Sequence, residues 1–158
     1  MAFWASNNVI PLRKFRFTIQ IGNESIFWYA KSVTQPSFDI SISEHRLVNH
    51  VIKYPGITTW NDVDIVLVDV EGQGKSYYEK LTKIGYNYTG SGKDGMKKSQ
   101  YSDKPFIIQR LKDDGEIQDT WKLINPFIKS VKYGDLDYSS EDLLEITITV
   151  AYDSAEIY

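Results

Sequence analysis

The residues with the clearest chemical potential are Gly74, Lys75 and Ser76, which follow an apolar stretch and open a predicted helix. Backbone N–H groups at such a turn can hold a phosphate, as in nucleotide-binding loops. That motif needs a glycine five residues before Gly74, but position 69 is Asp, whose charge would repel phosphate. We therefore favour an ordinary strand-to-helix turn with Ser76 as N-cap, and keep a P-loop-like nucleotide-binding protein as a remote alternative.

Two other sets of residues could bind a metal. His45 and His50 have opposite strand parity, so a regular strand would point them apart. Four carboxylates cluster in a predicted loop, with a spacing that matches no twelve-residue calcium loop. They are Asp135, Asp137, Glu141 and Asp142. We expect a non-enzymatic protein with no metal and no cofactor.

Composition favours one compact domain spanning residues 1–158. The chain is 42% hydrophobic and 25% charged, and it has no cysteine, which excludes disulfides and thiolate chemistry. No apolar run approaches the ~20 residues of a membrane helix, so we expect no membrane insertion.

Charge is segregated along the chain. Residues 1–53 carry six basic and three acidic residues, a net of +3, and residues 93–112 carry six and two, a net of +4. Residues 113–158 carry three basic and eleven acidic residues, a net of −8. This favours either a mixed solvated surface or two faces of opposite charge that meet different partners.

Alternating strands dominate the pattern. Alternation predicts strands at 14–21, 38–43 and 145–152, and apolar runs predict others. The other predicted strands are 26–30, 46–53, 62–69, 106–111, 117–124 and 127–133. Pro55-Gly56 and Asp113-Asp114-Gly115 predict turns.

One helix is predicted over 76–85, where Tyr77, Leu81 and Ile84 share a face. A long exposed loop is predicted over 86–103. About eight strands and one helix indicate a mostly β fold, a β-sandwich or barrel with one flanking α-helix.

Several stretches carry a family resemblance by their order and spacing. Residues 54–60, Tyr-Pro-Gly-Ile-Thr-Thr-Trp, lead into the strand at 62–69 and then the helix. Asp119–Ile128 runs into Val131–Tyr138, and Glu145–Asp153 follows. In this arrangement the chain resembles the tail tube proteins of contractile-tailed bacteriophages, from about residue 13 to the end.

The resemblance implies hexameric rings whose joined sheets form a continuous β-barrel lumen. Rings would stack into a hollow tube inside a contractile sheath, through which genomic DNA is ejected. The implied partners are further copies of the chain, the tail sheath protein, a baseplate or tube initiator, and, in the lumen, the tape-measure protein and DNA without sequence-specific binding. The implied location is the phage tail of a virion assembled in the host cytoplasm.

Alternation and charge assign two sets of residues within such a tube. Small hydroxyls and carboxylates would keep DNA hydrated and repelled. The residues predicted to face the lumen are Asp39, Ser41, Ser43, Glu145, Thr147 and Thr149. Residues 36–60 are predicted to form an arm that reaches a neighbouring subunit or ring, with Phe38, Ile40 and Ile42 anchored on the body. The residues predicted at its contact end are Glu44, His45, Arg46, Asn49 and His50.

Two further alternatives remain open. The chain could be a baseplate or tube-initiator protein, or a tube protein of a contractile injection system. A small-molecule-binding β-barrel would instead be monomeric with an apolar cavity.

Overall fold

The fold is seen in a computed structural model that describes residues 11–21, 24–25, 30–72, 74–76 and 106–158. For residues 24–25 it describes the backbone alone. The described strands are β1 (Phe17–Ile21), β2 (Glu24–Ser25), β3 (Ala30–Val33), β4 (Phe38–Leu47), β5 (His50–Trp60), β6 (Val63–Val68), β7 (Phe106–Leu111), β8 (Ile117–Ile124), β9 (Phe127–Tyr133), β10 (Glu145–Ala151) and β11 (Ser154–Ile157). Residues 74–76 are helical. The prediction of a mostly β fold is confirmed.

Two antiparallel sheets form the body of the subunit. Sheet A has the order β11-β8-β7-β1-β2, and sheet B has the order β3-β6-β10-β9. The long strands β4 and β5 belong to neither sheet and pair only with each other.

The core lies between the facing sides of sheets A and B. Its residues follow the predicted alternation: Ile146, Ile148 and Val150 are at most 1% exposed, whereas the threonines between them are half-buried. The other buried apolar residues are Ile19, Val63, Ile65, Leu67, Phe106, Ile108, Leu123 and Tyr152. Alternation therefore identified the core faces of β1 and β10.

Two of the crossings between the sheets, from β8 to β9 and from β10 to β11, lie next to each other. Asn125, between β8 and β9, has a φ of 52°, a conformation that Asn tolerates better than most residues. Its side chain donates to Asp153 Oδ2 at 2.9 Å, beside the crossing from β10 to β11. Asp153 N in turn donates to Ile124 O at 3.0 Å. These bonds tie the two crossings together.

Four predictions of local structure are wrong. The predicted strand 46–53 is interrupted by a two-residue turn at 48–49, where β4 ends and β5 begins. Pro55-Gly56 is not a turn, because β5 continues through it with a change of register opposite Ile40–Ile42. β11 was not predicted, since its short segment alternates weakly and is stabilised by pairing with β8. Ser76 is not an N-cap, because it lies within the helical residues and its N–H donates to Gly72 O at 3.2 Å.

Two predictions lie outside the described residues. They are the helix face of Tyr77, Leu81 and Ile84 and the loop 86–103. The predicted turn at 113–115 is confirmed, and Gly115 supplies its φ of 87°.

Replacing Ile148 by Ala should lower the free energy of unfolding by ~2–5 kcal/mol, because this side chain is 0% exposed. The matched control is Thr147→Ala, the preceding residue on the opposite face of β10, which should change it by less than ~1 kcal/mol. Urea unfolding followed by circular dichroism measures both. Equal losses would contradict the assigned core face.

Candidate assembly surfaces

The most prominent surface is the hairpin of β4 and β5, called the arm here. Its strands have ten and eleven residues, so it spans roughly 33 Å at ~3.3 Å per residue. Leu47 pairs with His50, which places the turn at Val48-Asn49. Every residue of β4 is exposed. The predicted arm over 36–60 is therefore present as a hairpin that projects from the body.

The arm exposes more apolar surface than a hairpin can bury by itself. Eight of its large hydrophobic side chains are 40% exposed or more. They are Phe38, Ile40, Ile42, Leu47, Val48, Val51, Tyr54 and Ile57. An isolated two-stranded hairpin is marginal in water, and a contiguous apolar surface commonly marks an interaction site. The arm is thus a candidate surface for contact with another protein.

The register assigns the side chains near the turn to two faces. His45 pairs with Ile52, so His45 and His50 lie on the same face of the arm. The expectation that they point apart is wrong, because the two-residue turn reverses the strand between them. Arg46 pairs with Val51 and Glu44 with Lys53 on the other face. The predicted contact residues 44–50 are therefore gathered at the end of the arm.

Aromatic contacts fix the base of the arm. The rings of Phe38 and Trp60 lie 5.0 Å apart, and those of Trp60 and Tyr152 lie 6.0 Å apart. Burial raises the pKa of Tyr152. The ring contact of Phe38 is with Trp60 of the arm itself, and Phe38, Ile40 and Ile42 are 52%, 47% and 60% exposed. Their predicted anchoring on the body of the same subunit is wrong.

Hydrogen bonds hold the same base. Asn61 Nδ2 donates to Ser37 Oγ at 3.1 Å and to Asp39 Oδ2 at 2.9 Å. Further along, Ser41 Oγ accepts from Ile57 N at 2.9 Å. A Cβ at Gly56 would clash with Ser41 Oγ, which explains glycine at this position. Asp39 and Ser41 thus have local structural partners.

The second surface is the side of sheet B that faces away from the core, called the outer face of sheet B here. Thr147 lies there between Val66 and Lys132, and Thr149 lies between Asp64 and Ser130. Thr149 Oγ1 donates to Asp64 Oδ1 at 2.8 Å. The side chains that β10 places on this face are therefore polar, as the alternation of 145–149 predicted, and Val66 and Val68 of β6 lie among them.

Glu145 on this face is paired with a cation. Lys31 Nζ of β3 forms an ion pair with Glu145 Oε1. The hydrogen bond to Glu145 raises the pKa of Lys31 above its ordinary value. Glu145 therefore contributes a neutralised charge and not a free carboxylate.

The two sets of predicted lumen residues lie on different elements. Asp39, Ser41 and Ser43 are on the arm, and Glu145, Thr147 and Thr149 are on sheet B. Within one subunit the structure does not bring them onto a shared sheet. That both sets line a lumen stays a prediction. Sequence reasoning missed Lys31, because its partner is 114 residues away and alternation carries no signal for such a pair.

The residues once considered for phosphate binding have other contacts. Tyr133 Oη donates to Gly74 O at 3.0 Å, and Ser76 N is bonded to Gly72 O. A Cβ at Gly74 would lie 3.6 Å from an Asp69 carboxylate oxygen, so a negative charge lies beside the helix start. These contacts disfavour phosphate there.

The described residues contain neither a metal-binding cluster nor a membrane-spanning helix. Among them no group of three or more His, Cys, Asp or Glu side chains could hold a metal ion. Among them, too, no helix has the length and apolar character needed to cross a membrane.

Comparisons with known proteins place this fold. No family model and no curated protein matches the sequence. A chain in the cryo-EM structure of the anti-feeding prophage cap, the tube-terminating cap, aligns with a TM-score of 0.75 and 19% identity over 100% of this chain and 99% of that one. A chain in the sheath/tube terminator of the extracellular contractile injection system PVC, in the extended state, gives 0.76 and 22% over 96% and 99%. One in the PVC sheath–tube complex, also extended, gives 0.69 and 22% over 94% and 91%.

These similarities define the fold class. The chain has the fold found in tube and tube-terminator assemblies of contractile injection systems. The resemblance to tail tube proteins that the sequence carries is thereby confirmed at the level of the fold.

Trp60→Ala should destabilise the subunit by ~2–4 kcal/mol, because Trp60 links Phe38 to the buried Tyr152. Hydrogen exchange should also accelerate in β4 and β5 before it does in β10. The control is Ile57→Ala, which alters an 80% exposed side chain of the same strand and should cost less than ~0.5 kcal/mol. Unchanged exchange in the arm of Trp60→Ala would contradict the role of this contact.

Proposed function

We propose that the chain is a ring-forming structural subunit of the tube in a contractile injection machine. The observation that carries the proposal is the arm, which pairs with neither body sheet and exposes eight large hydrophobic side chains. The fold shared with tube and terminator assemblies supports it. A subunit of this shape gains stability when a neighbour covers the arm.

In this proposal, rings form through the outer strands of sheet B. In the described part of the chain, β3 and β9 are the outer strands of sheet B. Exposed strand edges favour pairing with other chains, and a closed barrel removes them. Six copies would join their B sheets edge to edge into a hexameric ring with a continuous barrel wall. Heterologous contacts that close in the ring and repeat along the axis give a tube of fixed diameter.

The outer face of sheet B would then line the lumen, together with Asp39, Ser41 and Ser43 of the arm. Its hydroxyls and the neutralised Lys31–Glu145 pair would limit the retention of a polyanion, while Lys132 on the same face adds one cation. The proposed cargo is genomic DNA, beside a tape-measure protein, with no sequence-specific binding. The proposed outer partners are the sheath and a baseplate or tube initiator, in a phage tail assembled in the host cytoplasm.

A second candidate function is the ring that ends the tube. Two of the aligned chains come from structures of a tube-terminating cap and a sheath/tube terminator. Such a subunit would form single rings and would not grow into filaments by itself. The proposed DNA cargo also has an alternative. The tube could belong to a contractile injection system that carries no DNA.

Purified full chain should form hexameric rings that stack into tubes, seen by negative-stain microscopy and sedimentation velocity. Deletion of residues 44–49 should leave folded subunits without tubes, because it shortens the arm and leaves the core intact. The remaining residues 50–53 would close the hairpin across the Ser43–Tyr54 pair. A wild-type chain that stays monomeric at high concentration would contradict the proposal, and single rings alone would favour the terminator.

The absence of cysteine allows a direct test of the lumen. Thr147→Cys and Ser43→Cys in assembled tubes should react with a small maleimide that enters the lumen, but not with a maleimide on a large polyethylene glycol. The control is the same variants as dissociated subunits, which should react with both reagents. Modification of intact tubes by the large reagent would place that residue outside the lumen.

A further inference from the structure

The connection between β9 and β10 is an exposed segment with unusual chemistry. Residues 134–143, called the acidic loop here, contain four carboxylates and no basic residue, a net of −4. Three apolar side chains project from it: Leu136 is 87% exposed, Leu143 is 73% exposed and Tyr138 is fully exposed. Carboxylates interleaved with exposed apolar groups fit a partner that is both cationic and apolar.

Local hydrogen bonds shape this loop. Ser139 N donates to Asp137 Oδ1 at 2.9 Å, and Ser139 Oγ donates to the same atom at 2.8 Å. The backbone bond from Ser139 lowers the pKa of Asp137. Ser140 Oγ donates to Asp142 Oδ2 at 3.2 Å. The loop is therefore anionic at neutral pH and has a defined turn.

The topology places the acidic loop and the arm at opposite ends of sheet B. The arm joins the body just before Val63, which pairs with Val150. The loop ends at Glu145, which pairs with Val68 at the other end of β6. The six residues of β6 separate these ends by roughly 20 Å. Two surfaces at opposite ends of one subunit can meet head to tail in successive copies.

The end of the arm complements the loop. Arg46 and Lys53 are exposed on one face there, where Arg46 pairs in register with Val51 and Lys53 with the carboxylate Glu44. Within the described residues, neither cation takes part in a salt bridge. Val51 on this face is 40% exposed, Val48 at the turn is 100% exposed, and Leu47 on the opposite face is 51% exposed. The end of the arm therefore offers unpaired cations among apolar groups.

We propose that the acidic loop of one copy receives the end of the arm from a copy in the next ring. The inference rests on the proposed tube function and specifies the surface that each ring offers to its neighbour. Arg46 and Lys53 would contact carboxylates of the loop, while Val51 on the same face and Val48 at the turn cover Leu136, Tyr138 and Leu143. The occupant is a second copy of this chain.

Charge reversal in the full chain tests the contact. Arg46→Glu with Lys53→Glu should abolish tubes and leave rings, because all contacts around a ring weaken together. Asp135→Lys with Glu141→Lys should do the same, and no hydrogen bond of the shaped turn involves these two side chains. The four substitutions combined should restore tubes. Circular dichroism should show native folding in every variant, since all four side chains are exposed.

The control is Lys112→Glu with Lys122→Glu, which changes the net charge as much as the arm variant and alters two other exposed lysines. It should form tubes. Tubes from either reversed pair alone, failure of the combined variant to recover, or equal loss in the control would overturn the docking pair. A wild-type chain without rings or tubes would instead contradict the proposed function.

Cross-linking gives a measurement that does not depend on charge. Asn49→Cys at the arm turn and Leu136→Cys in the loop, made as separate chains and assembled together, should form a disulfide-linked dimer under mild oxidation. Neither chain assembled alone should do so. Tubes without mixed dimers would place the arm elsewhere.

Discussion

A two-stranded hairpin cannot bury its own side chains, and this constraint governs the molecule. The two body sheets bury one face each against the other, so their strands satisfy the alternation of apolar and polar residues within the subunit. The arm has no second layer, yet it carries apolar residues on both faces. The exposed apolar residues of the arm therefore favour contact with a surface that a single subunit does not supply, which in the proposed tube is a further copy of the chain.

Contacts at the base of the arm hold its exposed apolar residues in a fixed position. Phe38, Trp60 and Tyr152 join the arm to the edge of the core, and Asn61 bonds to Ser37 and Asp39 beside them. An arm held at its base loses less conformational freedom on docking than a free hairpin, and preorganisation of this kind favours affinity. The bulge at Gly56 increases local twist, and so sets the direction of the outer half of the arm.

Sequence reasoning succeeded where one local pattern determines the structure. Strict alternation in 14–21 and 145–152 identified strands and their core faces, because a half-buried sheet requires that period. It failed where a distant partner decides. The segment of β11 is extended because it pairs with β8. β5 continues through Pro55-Gly56 because a bulge there places one extra residue opposite β4. Proline is accepted in such edge strands and bulges.

The candidate surfaces show the same division. The arm was predictable as an element, since 36–60 contains two strand candidates and no helix pattern, but its turn at 48–49 was not, because the second predicted strand ran through it. The separation of Asp39, Ser41 and Ser43 from Glu145, Thr147 and Thr149 was not, because alternation describes a face but not the sheet that contains it. The ion pair of Lys31 with Glu145 joins strands far apart in sequence, and it changes the meaning of a residue first considered for its negative charge.

That pairing bears on how a conduit could remain open to a charged cargo. A wall of free carboxylates would repel a polyanion but would also repel itself around a closed ring, where like charges face one another. A wall of hydroxyls with internally neutralised ion pairs avoids both attraction of phosphate and self-repulsion. Sheet B carries hydroxyls and the Lys31–Glu145 pair on its outer face, beside the cation of Lys132, while four carboxylates with no basic residue among them are concentrated in the acidic loop at its end. In the proposed tube, the fold would thus keep strong charge at the contacts between rings, where it specifies register, and away from the surface along which the cargo moves.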